Sequence, residues 1–460
     1  MGGELAAAAF RHDPPAPSRR PRRQRTRFRP SAQGPKAPWK RPEDPPITSD
    51  PALFRLLARL DELARVSDEP DRLTRLAWGP AWREAVERVR GWMQEAGLAT
   101  RIDATGNLLG RREGVRPGGP ALMLGSHLDS VVDAGRFDGV LGVLAGVALV
   151  ERFAARGRSL PFALEVVAFA DEEGVRFPTA LTGSRAMAGT LEPSVLGLVD
   201  RTGTSLAGAL LACGLDPTGL ARCARSPSEI LGYLEVHIEQ GPVLEREGLA
   251  LGLVEAIAGA ERLVVEVLGE AGHAGTVPME ARKDALAAAA EMVLAVERTA
   301  RGVEASVATV GRLEVEPGAV NTIPGRVRFT VDLRSGEDAR RAEASALLHA
   351  SFLELARRRE VAVRIETVHT TPAVPCDGRL LALLERACAS IGRPVRRLVS
   401  GAGHDAMAIA AIAPVAMIFV RCRGGISHHP AEEAAAEDVA AALDLLETTV
   451  EALAREREEP

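Results

Sequence analysis

The apolar residues of this chain follow two periods that alternate along its length. In two segments they recur every three or four residues, which predicts amphipathic helices at residues 50–63 and 80–96. An unbroken apolar run bounded by Asp138 and Glu151 predicts a buried helix at residues 139–154. Between and after these helices, short apolar or alternating runs predict strands at residues 100–111, 122–127, 162–170 and 231–238. Because strands alternate with helices, the pattern predicts an α/β domain in which a mixed, mostly parallel sheet lies between helices.

After Gly252 the order of elements changes. Alternating segments predict strands at residues 262–268, 306–313, 326–333 and 361–366, with helices at 281–301 and 339–358. This βαββαβ order is that of a ferredoxin-like α+β domain. The earlier pattern then resumes with a helix at 379–391, a buried strand at 415–420 and a closing helix from Ala434. We therefore expect an insert at residues 253–365 within a discontinuous domain formed by residues 47–252 and 366–455.

Length and composition indicate a chain of more than one domain and argue against a membrane protein or a disulfide-bonded one. A chain of 460 residues is too long for one ordinary domain. No segment reaches the roughly 18 apolar residues of a membrane helix. Five scattered cysteines argue against disulfides or a thiolate zinc site and favour a reducing, cytoplasmic location.

Charge is distributed unevenly between the first 46 residues and the rest of the chain. Residues 1–46 hold 11 Arg and Lys against 4 Asp and Glu and are rich in proline, so we expect a disordered basic extension. It could be a nucleic-acid arm or a targeting peptide, but we assign it no role. The remainder holds 46 basic against 58 acidic residues, which gives no reason to expect nucleic-acid binding.

Histidines and carboxylates follow the ends of several predicted strands. The candidate metal ligands are His127, Asp138, Glu173, His237 and His428, and none of them is a cysteine. Such nitrogen and oxygen donors suit Zn, Mn, Co or Ni, and five of them suit two ions that share a carboxylate. Glu172 and Glu173 are adjacent where a strand ends, so one can coordinate while the other serves as general base.

Rival catalytic motifs are absent from the sequence. There is no GxSxG elbow of a serine hydrolase, and no P-loop or dinucleotide fingerprint follows a strand.

An ordered set of motifs extends from about residue 50 onward. It comprises Gly125–Asp129, Gly135–Gly139, Asp171–Gly174 with Arg176-Phe177, Gly183–Arg185, His237–Pro242, Gly272–Thr276, Asn321–Gly325, Asp332–Arg334, Gly401–Asp405 and Ile426–His428. This set resembles the amidase branch of the M20 metallopeptidase family: N-carbamoyl-L-amino-acid hydrolases, β-ureidopropionases and allantoate amidohydrolases.

The resemblance implies a role for each matching residue. The metal-binding positions of the family match His127, Asp138, Glu173, His237 and His428. They would hold two divalent ions per subunit, with Asp138 as the bridge. Glu172 matches the catalytic base, and Asp129 would orient His127. Substrate-binding positions are Gln240, His273, Asn321, Arg334, Gly401 and Ala402. His273 would also stabilise the oxyanion. In the family, the insert of the partner subunit supplies the residues at the positions of His273 and Asn321. The resemblance therefore implies a homodimer in which the insert acts as a lid and dimerisation domain.

The implied reaction is cleavage of a C–N bond in a linear ureido carboxylate. For an N-carbamoyl-L-amino acid the products are the amino acid, carbon dioxide and ammonia, and allantoate is the alternative substrate. Dipeptides are a more distant alternative. Outside the enzyme class, an inactive metal-binding homologue or a nucleic-acid role for the basic extension stays open, although every expected ligand and base position is filled.

Overall fold

The computed structural model describes residues 50–458, so the predicted extension at residues 1–46 lies outside the described part of the chain. The helices are α1 (Pro51–Leu63), α2 (Pro80–Glu95), α3 (Val140–Ala155), α4 (Thr182–Met187), α5 (Leu206–Ala212), α6 (Val243–Glu247), α7 (Ala285–Gly302), α8 (Asp338–Arg358), α9 (Gly378–Ser390), α10 (Asp405–Ile409) and α11 (Ala436–Glu458). Within this range no helix has both the length and the apolar character required to cross a membrane.

The strands fall into two main sheets and one small pair. They are β1 (Ala99–Ile102), β2 (Leu108–Arg112), β3 (Ala121–His127), β4 (Ala163–Phe169), β5 (Ile230–Ile238), β6 (Leu251–Ile257), β7 (Gly259–Leu268), β8 (Gly272–His273), β9 (Ser306–Thr309), β10 (Leu313–Glu316), β11 (Thr322–Ile323), β12 (Arg326–Ser335), β13 (Ala362–Thr371), β14 (Val374–Pro375), β15 (Val395–Ser400) and β16 (Val415–Val420).

The larger sheet is mixed and has a parallel centre. Its order is β1-β2-β4-β3-β5-β16-β6-β14, with β15 paired to β6. The pairs that join β4, β3, β5 and β16 are parallel, as is the pair of β15 with β6, whereas the remaining pairs are antiparallel. The predicted α/β sheet is therefore confirmed. Its central strands bring their carboxyl ends to one edge, where ligand sites of such sheets form.

Both faces of the centre of this sheet are buried, because successive residues of a strand project to opposite faces and its central strands are covered along their length. β3, β4 and β16 are buried along their whole length. α3 is buried on nearly every side, because it packs on β3 and β5 beneath α1 and α11. A helix that is apolar all round belongs in such a position.

The smaller sheet is antiparallel and has its own core. Its order is β10-β12-β7-β13, and β9 also pairs with β12. α7 and α8 pack on one face, where apolar side chains including Met292, Leu348 and Phe352 are fully buried. The single strand predicted over residues 306–313 is wrong, because residues 310–312 leave the ladder and divide it into β9 and β10. β8 and β11 form a separate two-stranded sheet.

The change from one sheet to the other does not fall where the sequence pattern puts it. Residues 253–257, assigned above to the insert, lie in β6 of the larger sheet. Residues 366–371, assigned to the surrounding domain, extend β13 of the smaller sheet. Residues 253–257 continue an apolar run, whereas residues 366–371 are mostly polar and mostly exposed, so periodicity alone does not mark the residue at which the chain changes partner.

Candidate metal centre

The end of β3 and the beginning of α3 converge on one place. His127 is the last residue of β3, and Asp138 precedes α3 by two residues. Between Asp138 and the helix, Gly139 has a φ of 68°, and a β-carbon there would lie 2.4 Å from His127 Cε1. Only glycine adopts this conformation and leaves this space, so it allows the helix to start directly against the imidazole.

Asp138 lies at the centre of the predicted ligands. Its Oδ1 is 3.1 Å from His237 Nε2 and 3.9 Å from His127 Nε2. Its Oδ2 is 3.2 Å from His428 Nε2, which is in turn 3.6 Å from Glu173 Oε1. Asp138 is thus shared between two groups of donors, one with His127 and His237 and one with Glu173 and His428. The donor atoms of each group lie within 4.8 Å of one another. We call these five residues, together with the adjacent Glu172, the Asp138 cluster.

The two adjacent glutamates follow β4 through a sharp turn. Asp171 adopts a positive φ of 60°, and its carboxylate accepts a 2.5 Å hydrogen bond from Thr182 Oγ1. Beyond this turn, Glu172 Oε2 lies 4.0 Å from His127 Nε2, whereas Glu173 reaches His428. A conformation that is costly for a non-glycine residue is thus held by the fold at the point where the two carboxylates enter the cluster.

Asp129 acts differently from the prediction that its side chain orients His127. His127 Nδ1 lies 2.9 Å from the main-chain oxygen of Asp129 and 3.9 Å from its carboxylate. The carboxylate instead accepts hydrogen bonds from the amides of Glu172, at 3.2 Å, and Glu173, at 3.1 Å. The residue therefore orients the imidazole through its backbone and holds the turn of both glutamates through its side chain.

The net effect of burial and neighbouring charges is to lower the pKa of Asp138 and to raise the pKa values of its partners in the cluster. Burial opposes ionisation of Asp138, but hydrogen bonds from His237 and His428 hold its pKa well below the usual value. The bond to Asp138 raises the pKa of His428 to about 9, and the same partner outweighs burial to raise that of His237 to about 9. Burial, reinforced by Asp138, raises the pKa of Glu173 to about 7.

The pKa of Glu172 is raised well above its usual value, first by burial and then by the neighbouring Glu173. A carboxyl group whose pKa is shifted upward is a stronger base when ionised than an ordinary carboxylate. A bound cation would oppose this shift by stabilising the ionised form.

The predicted substrate residue Gln240 touches the same cluster. Its Nε2 donates to Asp138 Oδ2 and to Ser427 Oγ, both at 3.2 Å. Ser427 immediately precedes His428, whose φ is 54° and whose side chain is 49% exposed. The exposed side of the cluster is therefore at His428 and Gln240, which leaves an approach for a small molecule.

The other predicted substrate residues fall into two groups. Arg334 donates through Nε and Nη2 to Asp332 at 2.7 and 3.1 Å, and through Nη1 to Gly401 O at 2.7 Å, which brings Gly401 and the neighbouring Ala402 beside it. His273 and Asn321 are exposed neighbours on the β8–β11 pair. Among residues 50–458, no hydrogen bond or ion pair joins either group directly to the Asp138 cluster.

His404, which the sequence left without a role, lies directly behind a predicted ligand. Its ring centroid is 4.5 Å from that of His237, and its Nε2 lies 2.7 Å from Ser400 Oγ. Burial, with the nearby His237, lowers the pKa of His404 well below its usual value, so the ring is neutral. It packs against His237 as an uncharged ring.

Two further buried ionic residues at this edge were missed by the sequence reasoning. Glu432 accepts hydrogen bonds from the amides of Phe137 and Asp138. The buried Arg75 donates to Leu128 O at 2.6 Å and to two carbonyls at the end of α1, Leu63 and Val66. Nothing in the local sequence marks either residue, because each acts on a loop distant in the chain.

The donor set fits a divalent cation. It consists of imidazole nitrogens and carboxylate oxygens, which suit Zn or Mn and lack the all-oxygen character of a calcium site. Within residues 50–458, no group donates a hydrogen bond to the buried Oε1 of Glu173. Such an atom has lost its solvation without a compensating hydrogen bond, and a bound cation would supply the missing partner.

The sequence profile of the peptidase family M20/M25/M40 matches residues 123–452. The chain belongs to this family. The match covers the central strands, the smaller sheet and every residue of the Asp138 cluster, so the resemblance read from the motifs is confirmed.

Relatives of known name sharpen the family assignment. An N-carbamoyl-L-amino acid amidohydrolase of Geobacillus stearothermophilus is 44% identical over 402 residues, which covers 87% of this chain and 98% of that protein. An allantoate deiminase of Arabidopsis thaliana is 41% identical over 423 residues, covering 85% and 81% respectively. A solved amidase of the hydantoinase/carbamoylase family from Burkholderia multivorans superposes with a TM-score of 0.82 at 34% identity, covering 86% of this chain and 97% of that one.

Proposed function

We propose that this chain is a metal-dependent amidohydrolase that cleaves the C–N bond of a linear ureido carboxylate, with N-carbamoyl-L-amino acids as its substrates. The observation that carries the proposal is the sharing of Asp138 between two groups of donors, with Glu172 beside them. The relatives named above are amidohydrolases and deiminases of ureido compounds, which supports the reaction class.

His127, Asp138, Glu173, His237 and His428 would hold two divalent ions, Zn or Mn, Co or Ni. When bound, such ions polarise a carbonyl and lower the pKa of water, which is the chemistry that a ureido group requires. Free cysteines, four of them buried, support a reducing and cytoplasmic location.

Glu172 is the proposed general base. It accepts a proton from the attacking water and returns it to the leaving nitrogen, so the amino acid departs with its amine intact. The other product is carbamic acid, which decomposes to carbon dioxide and ammonia. General acid–base catalysis of this kind contributes roughly 10² to 10⁴ in rate.

Arg334 is the proposed anchor for the substrate carboxylate. Its three hydrogen bonds to Asp332 and Gly401 use three of the five N–H groups of a guanidinium and fix its plane. The remaining donors can pair with a carboxylate in a planar, directional way that an ammonium cannot reproduce. Gln240, beside Asp138, would contact the ureido end, and Gly401 and Ala402 would line the carboxylate end.

The exposed residues of the β8–β11 pair support a homodimer in which the inserted part of the chain acts as a lid and dimerisation domain. His273 and Asn321 are exposed and unconnected to their own Asp138 cluster among residues 50–458, so each is free to reach the cluster of a second copy. His273 would then stabilise the oxyanion across the interface. Mixing inactive Glu172→Gln and His273→Ala subunits would restore about a quarter of the wild-type activity if half of randomly paired dimers carry one complete site.

The substrate is tested by measuring ammonia release from N-carbamoyl-L-amino acids, allantoate and dipeptides with Zn, Mn, Co and Ni. We expect turnover of N-carbamoyl-L-amino acids. Preference for allantoate would support the alternative that the second relative suggests, and activity on none of these compounds would overturn the proposed function.

A further inference from the structure

Glu432 connects two loops that meet beneath the Asp138 cluster. It follows His428 by four residues and is only 4% exposed. Its Oε1 accepts hydrogen bonds from two successive amides, Phe137 at 2.8 Å and Asp138 at 3.1 Å. Its Oε2 accepts a hydrogen bond from Ser427 Oγ at 2.9 Å. One carboxylate thus binds the backbone of the shared ligand and the residue next to His428.

The opposite loop leaves space for this carboxylate. A β-carbon at Gly135 would lie 2.2 Å from the carboxyl carbon of Glu432 and 2.3 Å from its Oε1. Any side chain at position 135 would displace Glu432 from the two amides. The loop around Asp138 and the loop around His428, nearly 300 residues apart in the chain, are therefore fitted to each other at this carboxylate.

The contacts determine how the two ligands face each other. Two successive amides donate to one carboxyl oxygen, and these hydrogen bonds are short and directional. They fix the backbone from which the Asp138 side chain projects. On the other side, the Glu432 amide donates to His429 O at 3.0 Å, which closes the turn after His428. A single residue therefore constrains both partners of the 3.2 Å contact between Asp138 and His428.

We propose that Glu432 is a positioning residue for the metal centre, which holds Asp138 and His428 at the separation and orientation needed to share a divalent cation. This inference rests on the metal-dependent function proposed above. Residues that hydrogen-bond to ligating groups commonly change metal affinity by 10- to 100-fold when they are replaced. A residue that only stabilised the fold would change the unfolding temperature and leave the affinity of the folded protein unchanged.

The test compares Glu432→Gln with Glu433→Gln, a matched control in the neighbouring residue, which pairs with Arg423 away from the cluster. Zn²⁺ affinity is measured on the full chain by competition with a chelator, and thermal unfolding is measured on the metal-free protein. We expect Glu432→Gln to weaken Zn²⁺ binding by about tenfold or more at temperatures where it stays folded. Glu433→Gln should bind like the wild type.

Each outcome bears on the proposal. Glu432→Gln with wild-type Zn²⁺ affinity overturns it, whether or not the variant unfolds earlier, and leaves the proposed function intact. Glu432→Asp, which keeps the charge but shortens the reach, should lose affinity as well. A wild-type chain that binds Zn²⁺ through Glu432-dependent contacts and hydrolyses no ureido compound would sustain this inference while overturning the function. A wild-type chain that binds none of Zn²⁺, Mn²⁺, Co²⁺ and Ni²⁺ overturns both.

Discussion

Gly139 lies so close to His127 that a β-carbon at this position would overlap the imidazole, at 2.4 Å from Cε1. We expect Gly139→Ala to displace His127 and to weaken metal binding at least tenfold, because a ligand ring and a methyl group cannot share the space. Gly157→Ala is the matched control, since Gly157 has a similar φ of 59° but open space around it. It should lose only about 1–2 kcal/mol from backbone strain. Metal content after dialysis and urea unfolding measure the two effects, and equal behaviour of the two variants would contradict this interpretation.

Glu172→Gln separates catalysis from metal binding. The substitution removes the proposed base but keeps the shape, so we expect turnover to fall by roughly 10² to 10⁴ while bound metal stays at the wild-type level. Glu173→Gln should instead lose metal, because Glu173 belongs to a donor group with Asp138 and His428. Steady-state kinetics and elemental analysis measure both. Near-normal turnover of a metal-loaded Glu172→Gln enzyme would exclude Glu172 as the base.

Arg334→Lys tests recognition of the substrate carboxylate. Loss of a planar pair of charged hydrogen bonds costs about 1.5–3 kcal/mol, which corresponds to a roughly 10- to 200-fold fall in kcat/KM. We expect most of the loss in KM. Arg328→Lys, at an exposed position of the same strand, is the control. An N-carbamoyl amine without a carboxylate should be hydrolysed equally slowly by wild type and variant, and a variant defect of the same size on both substrates would argue for a structural role.

The lowered pKa of Asp200 predicts that part of the folding stability is lost in acid. Hydrogen bonds from Thr202 and then Arg176 lower its pKa from 3.8 to about 2. Because the folded-state pKa is depressed, the stabilisation is complete above about pH 4 and is lost as the pH falls toward 2. Asp200→Asn should therefore unfold more readily than wild type at pH 6, with the difference shrinking below pH 4. Thr202→Val should shift the profile in the same direction, and a difference that stays constant from pH 6 to 2 would contradict the assignment.

Arg75→Met tests the buried guanidinium behind the Asp129 loop. Three carbonyls, Leu63, Val66 and Leu128, would lose their donor, so we expect a loss of about 2–5 kcal/mol in the free energy of unfolding. Arg59→Met, which removes another buried arginine far from the cluster, is the control. Only Arg75→Met should also reduce bound metal, because Leu128 lies between His127 and Asp129. Unchanged stability in urea would show that the contacts contribute little.

Much of the site follows from sequence because strand ends obey a general rule. His127, Glu172 and His237 follow apolar runs, and the carboxyl ends of parallel strands must meet at one edge. The role of Asp129 could not be read in this way, since its backbone carbonyl and its carboxylate are equally close to His127 in sequence and only the folded loop assigns them. Glu432 was missed for a related reason: its partners Phe137 and Asp138 are brought to it by tertiary structure, and no local period encodes such a contact.

The accuracy of the predicted fold also depends on whether a feature is set by neighbouring residues or by contacts distant in the chain. Helices such as α1 and α2 were predicted almost to the residue because their periods and end signals are local. The junctions near Gly259 and Thr371 were misplaced, because the choice of sheet depends on which strand lies alongside.

The position of β16 in the larger sheet has a consequence for synthesis on the ribosome. This strand is the last in the chain, yet it lies between β5 and β6, near the middle of the sheet. Until residue 420 has left the exit tunnel, β5 presents an unpaired edge, which is open to aggregation. At ordinary translation rates of about 5–20 residues per second, the interval between completion of β6 and of β16 lasts roughly 10–30 s. We expect nascent chains of this protein to depend on chaperone protection during that interval, and chains terminated before Val415 to accumulate as insoluble material.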